Sequence, residues 1–139
     1  MTIQKFAHIG ISCIDPIATE KFYTKHFGFR RARVIGEGSD QVIFLRTLCG
    51  DLYLELFKAD NGSIVHMPST GVGPSIPGFR HMAFKVDDVD LKLKEMRPDA
   101  HITEGPYNFD DFIPGWRTVW IADPDGRIIE ISQGYVDQE

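Results

Sequence analysis

The chain has 139 residues, enough for one globular domain or two small modules sharing a core. It is 42% hydrophobic and 25% charged, an ordinary soluble balance, and its net charge of −5 leaves no basic footprint for nucleic acid or an anionic membrane. No apolar run approaches the roughly 20 residues needed to span a bilayer. The opening MTIQKFAHIG has neither the basic segment nor the apolar core of a secretory signal. Cys13 and Cys49 lack the spacing of a metal motif and read as buried thiols, so the expectation is a cytoplasmic protein.

In chain order, His8 opens an alternating strand, with Ile9, Ile11 and Cys13 on one face and His8, Gly10 and Ser12 on the other. Asp15-Pro16 is an N-cap followed by a first helical residue. Ile17, Phe22, Tyr23 and Phe27 follow at helical spacing, and Gly28 ends the helix. Three strands are expected next, at about Phe29–Ile35, Gln41–Leu48 and Leu52–Lys58, with Gly50-Asp51 turning between the last two. Residues 59–78 are rich in Gly, Pro and Ser and read as a linker. A strand at Arg80–Val86 and a helix at Val89–Met96 follow, the helix ended by Pro98. A short strand at His101–Thr103 leads to a long loop, 104–116, and then to strands at Arg117–Ala122 and Arg127–Ser132. Loops of that length are often lids or binding loops.

The two halves repeat. Phe6, His8 and Asp15 match Phe79, His81 and Asp88 at an offset of 73 positions. Glu55 matches Glu130 at 75, and Val42-Ile43-Phe44-Leu45 matches Thr118-Val119-Trp120-Ile121 at 76. Small loop insertions produce such a drift. The pattern is β-α-β-β-β twice: module one at about 1–58, a linker at 59–78, and module two at about 79–139, read together as a single domain.

Period-2 alternation then sorts the side chains. Leu52, Leu54 and Leu56 oppose Tyr53, Glu55 and Phe57; Met82 and Phe84 oppose His81, Ala83 and Lys85; Ile129 and Ile131 oppose Ile128, Glu130 and Ser132. The aliphatic faces suit packing against the helices. His8, Glu55, His81 and Glu130 remain on the other, concave face: two imidazoles and two carboxylates, a donor set for a divalent cation. His26, His66 and His101 lack that placement. Arg33, Arg46 and Arg117 are candidate anion contacts, Tyr53 and Phe57 candidate pocket walls, and Tyr107, Asn108, Asp111 and Trp116 stand in the expected loop.

The strings HIGISCID, HMAFKVDDV and DPDGRIIEIS resemble the first, fifth and last strand signatures of the vicinal oxygen chelate superfamily, which includes glyoxalase I and the extradiol dioxygenases. The resemblance covers essentially the whole chain. It implies an α+β fold in which two β-α-β-β-β modules form a cupped eight-stranded mixed sheet around one metal, helices outside, commonly in a homodimer. It assigns His8, Glu55, His81 and Glu130 as metal ligands, and Glu130 or Glu55 as the general base. Extradiol relatives use two His and one Glu with iron, leaving three open coordination positions. Four protein ligands leave two, enough for a bidentate enediolate. The set His-Glu-His-Glu therefore resembles bacterial glyoxalase I, a lyase using Ni, Co, Zn or Mn on a small oxygen-chelating substrate. Phe79-Arg80 stands where that enzyme type shows an aromatic-Gly pair, and no glutathione-binding residues are matched. An iron dioxygenase and a small-molecule-sequestering resistance protein are the competing readings.

Overall fold

The computed structural model describes residues 2–48, 50–60 and 68–139. Cys49, His66 and much of the first half of the expected linker lie outside the described residues. The chain forms two compact units, Met1–Ile64 and Val65–Glu139. Among the described residues no helix is long and apolar enough to cross a membrane.

The first unit contains β1 (His8–Cys13), α1 (Pro16–Phe27), β2 (Phe29–Ile35), β3 (Val42–Thr47) and β4 (Tyr53–Lys58), with a short 3-10 turn at Gly38–Asp40. Its helix follows local chemistry. The Asp15 carboxylate accepts from the N–H groups of Ile17 and Ala18 at 2.9 and 3.2 Å, satisfying donors that the first turn leaves open. Gly28 ends the helix with φ of 68°, a left-handed conformation that only glycine adopts without cost. The buried face of α1 is Pro16, Thr19, Phe22, Tyr23 and His26, so His26 packs edge-on to Phe22 in the core and Ile17 stays at its margin. Opposite lie Ile11, Cys13, Ile43, Leu45, Leu54 and Leu56, all buried and all on one face of the sheet. Cys13 is buried, as expected.

The second unit contains β5 (Ser69–Thr70), β6 (Gly73–Pro74), β7 (Met82–Lys85), α2 (Val89–Glu95), β8 (His101–Asn108), β9 (Arg117–Ala122) and β10 (Ile128–Gln133). Asp88 caps α2 by accepting from Leu91 N–H at 2.9 Å. The turn before β10 is closed by Asp123, whose buried carboxylate accepts from the N–H groups of Asp125 and Arg127 and pairs with the Arg127 guanidinium.

Both units build a four-stranded mixed sheet with the same order, β1-β4-β3-β2 and β7-β10-β9-β8. The first and fourth strands of each module run parallel and the other pairs antiparallel, giving the expected α+β class. Two segments carry more regular structure than their composition suggests. Within the expected linker, β5 and β6 form a two-stranded hairpin, Ser69 opposite Pro74. A β-carbon on Gly73 would collide with the Arg80 carbonyl oxygen, so glycine permits the close approach of this hairpin to the entry of β7. The loop expected at 104–116 is also shorter, because β8 runs on to Asn108 and pairs Tyr107 with Thr118 and Asn108 with Arg117. Gly105-Pro106 looks like a turn but falls within register shifts on an edge strand, where an unpaired residue and a missing N–H are tolerated.

On β8 the Tyr107 hydroxyl donates to the Glu104 carboxylate. The bond favours the neutral phenol and the neighbouring negative charge opposes its ionisation, so the Tyr107 pKa is raised above the ordinary phenol value. The stability from this bond is present below the unfolded-state pKa of about 10 and is lost as pH rises through the folded-state value. In difference ultraviolet titration against Tyr107→Phe, the Tyr107 signal is expected to ionise above pH about 10, and Glu104→Gln to move it back down. In the core, Leu54→Ala and Ile129→Ala each remove a fully buried side chain. Each should lower unfolding free energy by about 2–5 kcal/mol in urea titrations, with the m-value unchanged.

Candidate metal centre

Strand pairing builds the site one pair at a time. In the first unit, β1 and β4 align His8 with Tyr53 and Gly10 with Glu55, and parallel partners present their side chains on one face. His8 Nε2 lies 3.0 Å from Glu55 Oε2. In the second unit, β7 and β10 align Ala83 with Glu130, and His81, immediately before β7, brings Nε2 to 2.7 Å from Glu130 Oε2. Each module thus joins a histidine from its first strand region to a glutamate on its fourth. Within neither unit does a third His, Cys, Asp or Glu among the described residues complete a metal-ligating cluster.

The second pair is held from behind. His81 Nδ1 is 2.8 Å from the Val72 carbonyl at the tip of the β5–β6 hairpin. A carbonyl only accepts, so Nδ1 carries the proton and Nε2 turns toward Glu130. Nε2 then meets the carboxylate across a proton or, in its place, a cation. This donor arrangement fits a metal-ligating histidine, whose second nitrogen commonly donates to a carbonyl. The hairpin is itself tied down, with Thr103 Oγ1 donating to the Gly71 carbonyl at 2.5 Å.

Aromatic rings flank both imidazoles. Phe44 meets His8 edge-on at 6.2 Å between centroids, and Trp120 meets His81 the same way at 6.3 Å. Phe44 is the cross-strand partner of Glu55, and Trp120 that of Glu130. The 76-position offset that pairs Phe44 with Trp120 was the sequence signal for this second shared feature. The Val72 carbonyl had no such signal, since a backbone oxygen has no residue signature. Trp120 Nε1 is buried without a hydrogen-bond partner among the described residues. Trp116 Nε1 donates to Ser132 Oγ at 3.0 Å, and Ser132 Oγ lies 2.9 Å from Thr118 Oγ1. Trp116 thus anchors the shortened loop, residues 109–116, onto the Glu130 face of β10.

The two pairs differ in access. The His8 side chain is 46% exposed and that of His81 19%. On the face that carries His8 and Glu55, a cavity of about 790 Å³ opens against Arg30, Arg33, Arg46, Phe44, Tyr53 and Leu48. Tyr53 is a pocket wall as expected, and Arg46 lies over its ring at 5.8 Å. Phe57 is not among the residues lining that cavity. Arg117 is already engaged, with Nε and Nη2 on the two oxygens of Asp90 at 3.1 and 2.9 Å and Nη1 on Asn108 at 2.9 Å. Asp111 is exposed on the loop.

Comparison with known proteins agrees with this architecture. A family model described as the Glyoxalase/Bleomycin resistance protein/Dioxygenase superfamily matches residues 5–131. The uncharacterized protein YwkD of Bacillus subtilis (strain 168) is 30% identical over 139 residues, covering 96% of this chain and 99% of YwkD. Lactoylglutathione lyase from Agrobacterium tumefaciens superposes with a TM-score of 0.59 at 22% identity, covering 96% of each chain. TnmS3, an antibiotic binding protein from Streptomyces sp. CB03234, superposes with a TM-score of 0.67 at 18% identity, covering 97% of this chain and 99% of TnmS3. The two superpositions bear on the fold alone. With the paired modules and their repeated strand order, the family match places this chain in the glyoxalase/bleomycin resistance protein/dioxygenase superfamily.

Proposed function

We propose that the chain is a metal-dependent lyase or isomerase of glyoxalase type, acting on a small oxygen-chelating substrate, with His8, Glu55, His81 and Glu130 as ligands of one divalent cation. One observation carries the reading: the same histidine–glutamate contact occurs in both modules, at repeat-equivalent positions and in the same strand register. Membership of a superfamily that includes a lactoylglutathione lyase supports the reaction class. Ni, Co, Zn and Mn all suit imidazole and carboxylate donors.

A bound divalent cation supplies Lewis acidity to a substrate carbonyl and its neighbouring oxygen. The chain's own groups do the proton work. Glu130 or Glu55 takes the proton from the carbon next to that carbonyl and returns it to the adjacent carbon, giving a 2-hydroxy acid derivative. Both carboxylates are suited to this, each being less than one-fifth exposed and beside an imidazole. The Val72 carbonyl keeps the His81 ring in one orientation and tautomer throughout. Phe44 and Trp120 stand edge-on to the two imidazoles and give each an apolar neighbour. The reading includes a homodimer, as the resemblance implies, and a cytoplasmic location, as the two cysteines suggest.

Protein purified without tag or chelator is expected to bind one divalent ion per chain by elemental analysis. Glu130→Gln and Glu55→Gln should each weaken metal binding by roughly 10-fold or more. Absence of stoichiometric metal, before and after reconstitution, would sink the enzyme reading and favour a sequestering protein. Retention of iron in Glu55→Gln, with oxygen uptake on catechols, would instead favour the three-ligand dioxygenase frame. Gly73→Ala probes the hairpin: displacing the Val72 carbonyl should lower metal affinity about 10–100-fold, measured by competition with a chromophoric chelator.

A further inference from the structure

The face of the first sheet that carries His8 and Glu55 holds an unneutralised set of cations. Cross-strand register arranges it in two adjacent rows. Arg30, Arg46, Tyr53 and His8 form one row, and Arg33, Phe44, Glu55 and Gly10 the next. The irregularity between Arg31 and Arg33 is what brings Arg33 onto this face. Arg31 points to the helix side instead, where Glu20 binds its guanidinium through Nε at 2.8 Å and Nη2 at 2.5 Å. That ion pair raises the Arg31 pKa and neutralises its charge at the cavity margin. Arg30, Arg33 and Arg46 have no carboxylate partner among the described residues, and Arg46 is engaged only with the Tyr53 ring.

Like charges directly opposite on antiparallel strands repel, and Arg30 sits directly opposite Arg46. In a chain of net charge −5, acids for neutralising this pair are plentiful, yet among the described residues none forms an ion pair with it. These three arginines line the cavity of about 790 Å³ together with the Glu20-paired Arg31 and with Phe44 and Tyr53, which supply flat apolar walls. Arginine presents N–H donors in a fixed fork suited to oxyanions and stacks on rings, so the set matches a ligand with a charged oxyanion on a flat apolar body. Arg46 and His8 are two strand spacings apart across the sheet, roughly 10 Å. A small molecule spans that distance.

We propose that Arg30, Arg33 and Arg46, with Phe44 and Tyr53, form an anion subsite that holds a phosphoryl or carboxylate group of the substrate while its chelating oxygens reach the His8–Glu55 pair. The link to that substrate rests on the function proposed above. Anion binding at the arginines does not, so the two can fail separately.

The test is calorimetric titration of EDTA-treated protein with phenyl phosphate and with benzoate, phenol serving as the neutral control. One or both anions should bind at one site per chain, and phenol at least tenfold more weakly. Their relative affinities show whether a dianion or a carboxylate is preferred. Arg30→Gln and Arg46→Gln should each weaken the preferred anion about tenfold, with Arg33→Gln adding to either. Added salt should weaken binding further. Circular dichroism guards against misfolding, and Arg46→Lys should retain part of the affinity. Phenol binding as tightly as both anions would overturn the proposal. So would anion affinity that ignores the arginine changes or is abolished in metal-free Glu130→Gln. Stoichiometric metal in the arginine variants, with anion binding lost, would establish the subsite apart from the metal ligands. Anion binding in a protein that takes no metal would leave the subsite standing and remove its link to the metal-dependent reaction.

Discussion

Parallel pairing between the first and fourth strands of each module is the constraint from which the candidate site follows. Such partners lie one strand spacing apart and present equivalent residues on the same face. Glu55 is separated from Gly10 by a helix and two strands in sequence, yet is its neighbour in register, and Glu130 stands in the same relation to Ala83. A slip of one residue would turn either glutamate into the aliphatic core of its module. Leu54 and Leu56, or Ile129 and Ile131, prevent that slip because they are fully buried on the opposite face. The apolar core therefore sets the position of the polar pair.

The two modules repeat a framework but not a microenvironment. His81 is anchored through Nδ1 by a carbonyl, and the neighbouring face is closed by Trp120 and by the Trp116–Ser132–Thr118 hydrogen bonds. His8 is more exposed, and its register partner Tyr53 lines a cavity whose charge comes from one strand, Phe29–Ile35, with Arg46 from the next. A rigid pair and an open pair are a workable division between holding an ion and admitting a ligand. Rigidity is assigned to the second by its contacts, and access to the first by its exposure.

Legibility in the sequence followed the range of the interaction. Asp15, Pro16 and Gly28 announced a helix and its ends because capping and left-handed backbone are decided within a few residues. Alternation announced the buried faces of β1, β4 and β10 for the same reason. The full length of β8 is hidden in the sequence because Gly105-Pro106 carries a turn signature that edge-strand pairing overrides. The segment 59–78 was read as linker from composition, and the hairpin within it depends on packing of Gly71 and Gly73 against distant backbone. Arg117 looked available until Asp90 and Asn108, from a helix and another strand, engaged it.

Sequence alone determined the repeat, the residue types of the four candidate ligands and the face each one occupies. These rest on period-2 geometry and on internal self-similarity, neither of which needs a partner strand. Only tertiary structure decided that each histidine meets the glutamate of its own module, that Val72 orients one ring, and that Arg30, Arg33 and Arg46 share a cavity with no carboxylate partner among the described residues. Those outcomes depend on register, on one strand irregularity and on backbone carbonyls. The chemistry of individual side chains encodes none of these.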